Sequence, residues 1–214
     1  MTARLVIVGA GGFGREVQSW IETSPKWLHE HGNAPIVFVD DAAPPVPVRA
    51  PIVSRLEGFV PEVDDLVLVA IGAPLVRRSV VSRLRDHGAQ FTSFVHDNAV
   101  IGDGVTVGAG SIICPGSILS TDIVLGEQVH INTNCMIGHD VSLGSFSTLS
   151  TSCNLGGGVV VGENTFVATG TSVIPGRKVG MGAYVGVGSV VIRHVPDGVT
   201  VFGNPSKVIG RRKS

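Results

Sequence analysis

The chain has 214 residues, with 16 basic and 17 acidic side chains and a formal net charge of −1, and this length allows one large domain or two small ones. The balanced charge gives no indication of nucleic-acid binding. No apolar run approaches the ~20 residues of a membrane span, and three irregularly spaced cysteines argue against a disulfide framework. The start of the chain lacks a signal-peptide pattern, so we expect a cytoplasmic protein.

Residues 1–93 are predicted to form a small Rossmann-like α/β domain. Apolar runs indicate strands at 5–8, 36–39 and 66–71, and helical stretches are predicted near residues 15–22 and 75–87. Strands and helices alternate in this segment, which is typical of a parallel sheet with crossover helices.

A glycine-rich turn joins the first predicted strand to the first helix. Gly9, Gly11 and Gly14 match the G-x-G-x-x-G spacing, and Asp40 ends the second strand, a pattern typical of dinucleotide binding. Only one mononucleotide-binding half is present, and the segment leaves no room for a substrate domain, which disfavours a dinucleotide-binding regulator. Two interpretations stay open. The turn binds a phosphate or sugar at the helix N-terminus, or its glycines only make the turn and allow close packing.

Residues 94–214 are predicted to form a parallel β-helix of hexapeptide repeats. From Ile101 to Val191 every sixth residue is aliphatic, sixteen times in succession. Neither the helix period of 3.6 nor the strand period of 2 explains this spacing. Three hexads form one triangular coil of eighteen residues, so the aliphatic side chains stack inside a prism of a little over five coils.

The same frame assigns the other positions of each hexad. The residue two places before each aliphatic is nearly always small or β-branched and shares the interior, so Cys135 and Cys153 are predicted core residues rather than nucleophiles. Glycine follows nine of the sixteen aliphatics, and we expect it there because it adopts backbone angles that other residues resist at a corner. His139 falls on an outward turn position, two residues after Ile137, and His130 also has a surface register.

Both parts of the sequence resemble the bacterial sugar acetyltransferase family of the NeuD/PglD type. This family includes the bacillosamine-pathway and perosamine N-acetyltransferases and the sialic acid O-acetyltransferases. The resemblance runs the whole length and rests on residues 8–14, 131–133 with 138–140, 173–176 and 203–208. It implies left-handed coiling of the β-helix, an exception to the usual right-handed crossover. It also implies transfer of an acetyl group from acetyl-CoA to a nucleotide-linked amino sugar, of the 4-amino-4,6-dideoxyhexose type, for surface-glycan biosynthesis.

The resemblance further implies which residues are catalytic. His139 would be the general base, a task that suits histidine near neutral pH, and Asp140, where the family has glutamate, would hydrogen-bond the imidazole. Counting eighteen residues forward places Gly157 directly over His139, where its backbone N–H would stabilise the thioester oxyanion. The reaction would then be a direct transfer without an acyl-enzyme, and no metal is expected.

Substrate and cofactor contacts are implied in the same way. The nucleotide sugar would be bound by the glycine turn, the acids after the second strand and one asparagine: Gly11, Gly12, Phe13, Asp40, Asp41 and Asn132. Acetyl-CoA would be bound by Thr148, Gly157, Thr169 and Val187. Phe13 and Thr148 replace residues that are histidine in some family members. The prisms of the family pack as trimers with CoA between neighbouring subunits, so a homotrimer is expected.

The basic end of the chain leaves two interpretations open. Lys207, Arg211, Arg212 and Lys213 either meet the phosphates of CoA or form a solvated tail.

Two alternatives to an amino-sugar N-acetyltransferase remain. The acceptor could be a sugar hydroxyl, as in sialic acid modification. The chain could instead be a non-catalytic hexapeptide scaffold, such as a carbonic-anhydrase-like protein. Zinc chemistry of that kind needs several converging histidines, and the repeat contains only His130 and His139.

Overall fold

The computed structural model describes residues 4–44 and 46–211. The chain divides into two compact units, Met1–Asp97 and Asn98–Ser214, and the boundary predicted from the sequence lies four residues earlier. Within the described ranges, no helix is both long enough and apolar enough to cross a membrane.

The first unit is built around a five-stranded parallel sheet. Its strands are β1 (Leu5–Val8), β2 (Ile36–Val39), β3 (Ile52–Ser54), β4 (Leu66–Val69) and β5 (Gln90–Phe91), its helices are α1 (Gly12–Glu22), α2 (Pro25–His31) and α3 (Pro74–Asp86), and a 3-10 turn (Leu56–Gly58) and a short strand β6 (Phe94–Val95) complete it. The sheet order is β3-β2-β1-β4-β5. The winding reverses at β1, so the crevice at the carboxyl ends of β1 and β4 is the switch point where such sheets bind ligands.

The three predicted strands and two predicted helices of this unit are confirmed, whereas its shorter elements, among them α2, β3 and β5, were not predicted. Helix α2 has only seven residues and begins at a local cap, where Ser24 Oγ accepts a hydrogen bond from the Trp27 N–H at 3.4 Å. Strand β3 has no buried residue, and β5 has only two residues. Elements this short and this exposed leave no periodic apolar pattern in the sequence.

The second unit winds through sixteen two-residue strands. These are β7 (Val100–Ile101), β8 (Thr106–Val107), β9 (Ile112–Ile113), β10 (Ile118–Leu119), β11 (Val124–Leu125), β12 (His130–Ile131), β13 (Met136–Ile137), β14 (Ser142–Leu143), β15 (Thr148–Leu149), β16 (Asn154–Leu155), β17 (Val160–Val161), β18 (Phe166–Val167), β19 (Ser172–Val173), β20 (Lys178–Val179), β21 (Tyr184–Val185) and β22 (Val190–Val191). Each pairs in parallel with the strand eighteen residues away, as Met136 does with Ile118 and Asn154. The predicted left-handed parallel β-helix is confirmed.

The prism has three faces and three corners. Face 1 contains β7, β10, β13, β16, β19 and β22, face 2 contains β8, β11, β14, β17 and β20, and face 3 contains β9, β12, β15, β18 and β21. Each corner carries the number of the face whose strands it follows. Corner 1 therefore includes residues 138–141 and, one coil later, 156–159.

The inward positions form the core as predicted. Every aliphatic of the six-residue series from Ile113 to Val191 is buried, and only the first coil is open, with Ile101 exposed at 39%. Cys135 and Cys153 are completely buried, and their thiols donate to the carbonyl oxygens of Ser150 (3.1 Å) and Ala168 (3.2 Å). Both cysteines are therefore core residues.

Glycine follows the inward aliphatics for a different reason from the predicted one. The prediction that it supplies unusual backbone angles there is wrong. Positive φ occurs two residues later, as at Gly104 (71°) and Asp140 (57°). Glycine beside the aliphatic is needed instead because the next coil comes very close: a Cβ on Gly138 would lie 2.6 Å from the Gly157 nitrogen.

Beyond the last repeat the chain closes with a hairpin. Strand β23 (Val199–Phe202) runs parallel to β21 and pairs with the antiparallel β24 (Lys207–Arg211). Lys207 and Arg211 thus belong to an exposed strand, whereas Arg212 and Lys213 lie outside the described residues.

Candidate active site

A histidine and an aspartate stand side by side on corner 1. His139 Nδ1 lies 2.6 Å from Asp140 Oδ2, and about two thirds of each side chain is exposed. Asp140 occupies the positive-φ position of the corner, which aspartate tolerates better than most residues. With Nδ1–H donating to the carboxylate, Nε2 is the ring nitrogen left to accept a proton.

The next coil places a glycine against the same imidazole. A Cβ built on Gly157 would lie 2.5 Å from His139 Nε2, and the Gly158 N–H donates to the His139 carbonyl at 2.8 Å. The φ of Gly157 is not positive, so the backbone angle does not require glycine there. The missing side chain is what leaves room for the ring.

An apolar groove of about 440 Å³ runs along face 1 beside this corner. The strands contribute Met136 and Asn154 to its lining, and the corner contributes Gly138 and Gly156. The groove thus reaches the residue that precedes His139.

Three predicted contact residues lie on corner 3 instead. Asn132 is half-buried, with its Oδ1 3.9 Å from the Cys114 thiol, whereas Thr169 and Val187 are exposed in later coils. Face 1 separates corner 3 from corner 1. One chain therefore brings together His139, Asp140 and Gly157 but does not bring Asn132, Thr169 and Val187 to them.

Two outward positions on face 3 differ from the sequence-based expectation. His130 was predicted in a surface register but is completely buried, and Thr148, predicted to contact acetyl-CoA, is 1% exposed. They are partners on neighbouring strands of the same face. The six-residue frame predicts which way a side chain points but not whether other residues cover it. Because Thr148 is buried, it is not part of the proposed site.

In the first unit, the glycines of the turn have separate structural reasons. Gly9 has φ +103°, and a Cβ on Gly14 would lie 1.8 Å from the Gly9 carbonyl oxygen, so α1 packs against the turn only with glycine at 14. Cβ atoms on Gly11 and Gly12 would meet no described atom within 4 Å. The space beside Gly11 and Gly12, at the start of α1, is therefore open to a ligand.

The acids after β2 hold the loops around this turn. Asp40 accepts hydrogen bonds from the Ala10 N–H (2.6 Å) and the Ala42 N–H (2.9 Å), and Asp41 accepts one from the Leu56 N–H (2.8 Å). Phe13 is half-buried in the first turn of α1. Asp40 thus reaches the glycine turn, and its carboxylate shapes that turn.

A buried arginine at the switch point was missed by the sequence analysis. Arg77, in the first turn of α3, is completely buried and donates to the carbonyl oxygens of Ile71 (2.6 Å) and Gly72 (3.2 Å). Burial lowers the pKa of its guanidinium to about 9. Its position on the inward side of an amphipathic helix was the available signal, but a charged residue at such a position is rarely fully buried.

A Rossmann-like unit followed by a left-handed β-helix is the architecture of acetyltransferases of the hexapeptide class, and the comparisons with known proteins place the chain among them. The family model of the PglD N-terminal domain matches residues 4–84. A GDP-perosamine N-acetyltransferase of Escherichia coli O157:H7 is 32% identical over 136 residues, 62% of this chain, and the match spans 61% of that protein.

Solved structures extend the match to the whole chain. A histidine-to-alanine variant of the GDP-perosamine N-acetyltransferase from Caulobacter crescentus, in complex with CoA and GDP-perosamine, is 31% identical, with 97% of each chain covered and a TM-score of 0.83. The acetyltransferase domain of PglB from Neisseria gonorrhoeae is 27% identical, covering 96% of this chain and 99% of that chain, with a TM-score of 0.87. The chain belongs to the NeuD/PglD family of sugar acetyltransferases.

Proposed function

We propose that this protein transfers the acetyl group of acetyl-CoA to the amine of a nucleotide-linked 4-amino-4,6-dideoxyhexose, as one step of surface-glycan biosynthesis. The observation that carries the proposal is the exposed His139–Asp140 pair beneath Gly157. Support comes from relatives of the same architecture that were crystallised with CoA and GDP-perosamine.

The chemistry follows from the free nitrogen of His139. The neutral amine attacks the thioester carbon, an N–C bond forms, and Nε2 takes the proton that the amine loses. The C–S bond then breaks, and the CoA thiolate takes the proton back from the imidazolium. Asp140 fixes the tautomer in which Nε2 is the acceptor and stabilises the imidazolium by its charge.

The Gly157 amide is the proposed oxyanion donor. Among the backbone hydrogen bonds of the described residues, its N–H has no partner, while its carbonyl accepts from the Gly176 N–H at 2.9 Å. An amide held by the coil above and free to donate matches the requirement for a donor that does not reorganise during the reaction.

The first unit is the proposed site for the nucleotide part of the acceptor. Gly11, Gly12 and Phe13 lie at the N-terminus of α1, where free N–H groups favour a phosphate, and Asp40 and Asp41 border the turn. The open space beside Gly11 is consistent with close approach of the backbone to a ligand.

We also propose a homotrimer in which each site uses two subunits. His139 lies on corner 1, whereas Thr169, Val187 and Asn132, proposed to contact the CoA arm and the substrate, lie on corner 3. Exposed apolar side chains run up face 1 at Val100 (58%), Ile118 (42%) and Met136 (56%), a pattern typical of an interface. Light scattering should give three times the 22.2 kDa chain mass, and a monomeric mass for an active enzyme would contradict the shared site.

The acceptor is tested by following thiol release from acetyl-CoA with UDP-, GDP- and dTDP-linked 4-amino sugars. Release with one of them is expected, and release with sialic acid instead would favour an O-acetyltransferase. No release with any acceptor would favour a scaffold.

Within the described ranges, no group of three or more His, Cys, Asp or Glu side chains is placed to hold a metal.

The role of the base is tested with His139→Ala. A general base contributes about 10²- to 10⁴-fold to the rate, so kcat should fall by that factor while the dissociation constant for CoA stays the same. The exposed side chain makes loss of folding unexpected, and circular dichroism provides the control. Unchanged kcat would remove His139 from the mechanism.

A further inference from the structure

A cavity of about 420 Å³ opens at the amino ends of the strands in the first unit. Its lining includes Leu5, Ile36 and Leu66, the residues that begin β1, β2 and β4, and we call it the amino-edge cavity. The glycine turn follows Val8 at the other end of β1, about 10 Å of strand away from Leu5. The cavity is therefore separate from the site proposed for the nucleotide sugar, and its volume is within the range of about 300–1,000 Å³ that is typical of small-molecule sites.

Helix α1 contributes a buried carboxamide to this cavity. Gln18 lines the cavity and is only 2% exposed. Its Nε2 donates to Glu22 Oε1 at 2.7 Å, and this bond fixes the direction of the amide because only the nitrogen can donate to a carboxylate. Among the hydrogen bonds of the described residues, Gln18 Oε1 accepts none, and the second N–H of Nε2 donates none. A buried amide that still offers an acceptor and a donor points to a ligand with the complementary pair.

An exposed arginine is held in place at the same cavity. Arg49 is part of the lining, and its Nη2 lies 2.8 Å from Glu22 Oε2, so Glu22 connects Arg49 with Gln18. The guanidinium has several N–H donors in a fixed plane, and the Arg49 side chain is 63% exposed. An anion can therefore accept hydrogen bonds from Arg49 without displacing Glu22.

Helix α2 lines the cavity with two stacked rings. The His31 imidazole lies on the Trp27 indole, with ring centroids 3.6 Å apart and planes inclined by 14°. His31 Nδ1 donates to the Trp27 carbonyl at 3.2 Å, which holds the imidazole on the indole and leaves Nε2 as the acceptor of the neutral ring. Trp27 is buried, whereas His31 is half-buried. A flat ring that enters the cavity can therefore extend the stack on the imidazole.

These three features together select one class of ligand. The aromatic stack favours a flat ring, the free acceptor and donor of Gln18 match the edge of a nucleobase, and the guanidinium of Arg49 favours a phosphate. A phenyl ring with an anionic group would leave the polar groups of Gln18 unsatisfied, which is costly in a buried site. A nucleobase joined to a phosphate by one sugar satisfies all three.

We infer that the amino-edge cavity binds a purine or pyrimidine mononucleotide, with the base on His31, the edge of the base on Gln18 and the phosphate at Arg49. This inference goes beyond the proposed acetyl transfer and does not depend on it. Helix α1 begins at Gly12 in the glycine turn, and its last residue, Glu22, lines the cavity. Variants at the two ends of this helix can therefore distinguish a nucleotide in the cavity from one at the turn.

The test uses the fluorescence of Trp27 in the whole chain. The chain has two tryptophans, so Trp20→Phe leaves Trp27 as the single reporter. Titration with AMP, GMP, CMP and UMP should quench its emission to saturation with at least one of them. Ribose 5-phosphate, which lacks the base, should cause no quenching. The matching nucleoside, which lacks the phosphate, should bind at least tenfold more weakly than the mononucleotide.

Two substitutions in the cavity then locate the bound nucleotide. Gln18→Leu keeps the approximate size of the side chain but removes the amide, and Arg49→Ala removes the guanidinium. Each should raise the dissociation constant of the mononucleotide at least tenfold. Arg55→Ala replaces an exposed arginine that does not line the cavity, and it is the matched control for Arg49→Ala. Circular dichroism checks the folding of Gln18→Leu, and the exposure of Arg49 keeps the test valid if that variant does not fold.

Saturable quenching that the cavity variants weaken and that Arg55→Ala leaves unchanged supports the inference. Quenching by none of the four mononucleotides, or a dissociation constant unchanged in the cavity variants, overturns it. Quenching that Gly11→Val abolishes and the cavity variants do not assigns the nucleotide to the glycine turn and also overturns it. Thiol release from acetyl-CoA is measured separately, so a failure of this inference is distinguishable from a failure of the proposed function.

Discussion

Glycine serves different purposes in the two units. In the β-helix, one cause recurs at nearly every coil: glycine next to the inward aliphatic lets the next coil approach, as at Gly138. In the first unit each glycine of the turn has its own cause, a positive φ at Gly9 and a close helix contact at Gly14. A glycine in the β-helix that lacks this recurring cause therefore stands out as an exception. The first unit has no recurring cause with which its glycines can be compared.

The exceptions are the glycines that neither cause explains. Among them, Gly157 needs no special φ and is required only because the imidazole of His139 lies against it, and a Cβ on Gly11 would meet no described atom within 4 Å. Gly157 leaves room for the His139 side chain, and Gly11 borders open space. Both positions coincide with residues proposed to function in catalysis or binding.

Replacing Gly157 by alanine tests the first exception. The new Cβ would lie 2.5 Å from His139 Nε2, so the ring must move. A displacement of about 1 Å in a catalytic group costs on the order of 10²-fold in rate, and kcat should fall by about that factor with little change in the melting temperature.

The matched control for this substitution is Glu163→Ala. Glu163 occupies the same turn position on corner 2, is exposed, and has no histidine beneath it, so this variant should keep full activity. Equal losses of kcat in the two variants would show that any substitution at this turn position lowers activity. The contact between Gly157 and the imidazole would then not explain the effect.

Much of the β-helix was predictable because its sequence repeats. The six-residue series placed Cys135 and Cys153 inside, and it placed His139 outside with Gly157 above it, as the structure has them. The burial of His130 and Thr148 was not predictable, because the frame gives the direction of a side chain but carries no information on what covers it. The cause of the corner glycines was wrong for a similar reason, since the approach of adjacent coils is a three-dimensional distance.

The first unit was less predictable because each of its elements occurs once. The apolar runs of β1, β2 and β4 gave clear signals, whereas β3, β5 and α2 are too short or too exposed to leave one. Arg77 is charged and fully buried, a combination that composition rules disfavour. Its carbonyl partners, Ile71 and Gly72, follow a strand and become neighbours of the side chain only when α3 folds back.

Substituting Asp140 tests whether the aspartate matters because it pairs with the His139 imidazole or because of its position on the corner. In Asp140→Asn the amide can donate to Nδ1 and favour the wrong tautomer. A hydrogen bond to a charged group contributes about 1.5–3 kcal/mol, and exposure of both side chains favours the lower end, so kcat should fall about tenfold. Asp122→Asn, which has the same positive-φ position one coil below, should keep its rate. Similar rates for the two variants would contradict the pairing.

The turn of the first unit is tested by a pair of substitutions with opposite expectations. Gly14→Ala should lower the free energy of unfolding by about 1–3 kcal/mol, as overpacking does, because of the contact with the Gly9 carbonyl. Gly11→Val should leave thermal stability unchanged and raise the KM of the nucleotide sugar about tenfold or more, since a lost hydrogen bond to a charged group costs about 1.5–3 kcal/mol and about 1.4 kcal/mol is a factor of ten. A Gly11→Val variant with normal kinetics would favour the purely structural interpretation of the turn.

The first unit also contains an ion pair that gives it a pH response. Arg4 donates to Asp65 at 2.9 and 2.7 Å. Burial alone would raise the pKa of Asp65, but the hydrogen bonds from Arg4 and the Glu62 N–H lower it below its usual value. The unfolded state then binds more protons, so this stabilisation is present above about pH 3.9 and is lost as pH falls through the lower, folded pKa.

Asp65→Asn measures this contribution. The variant should be less stable by about 1–3 kcal/mol at pH 7, and the difference from the unaltered protein in urea should shrink between pH 4 and pH 2. A difference that stays constant over this range would mean that the charge of Asp65 does not contribute.

Corner 1 of the β-helix is proposed to acetylate an amine, and the identity of the product tests this role most directly. The protein would be given acetyl-CoA and one of two GDP-sugars that differ only in carrying an amine or a hydroxyl at C4, with thiol release and product mass measured together. With the amine, one thiol should be released for each sugar that is N-acetylated, and no acetyl group should be transferred to the hydroxyl sugar. Transfer to the hydroxyl sugar alone, or thiol release without an acetylated amine, would contradict this role.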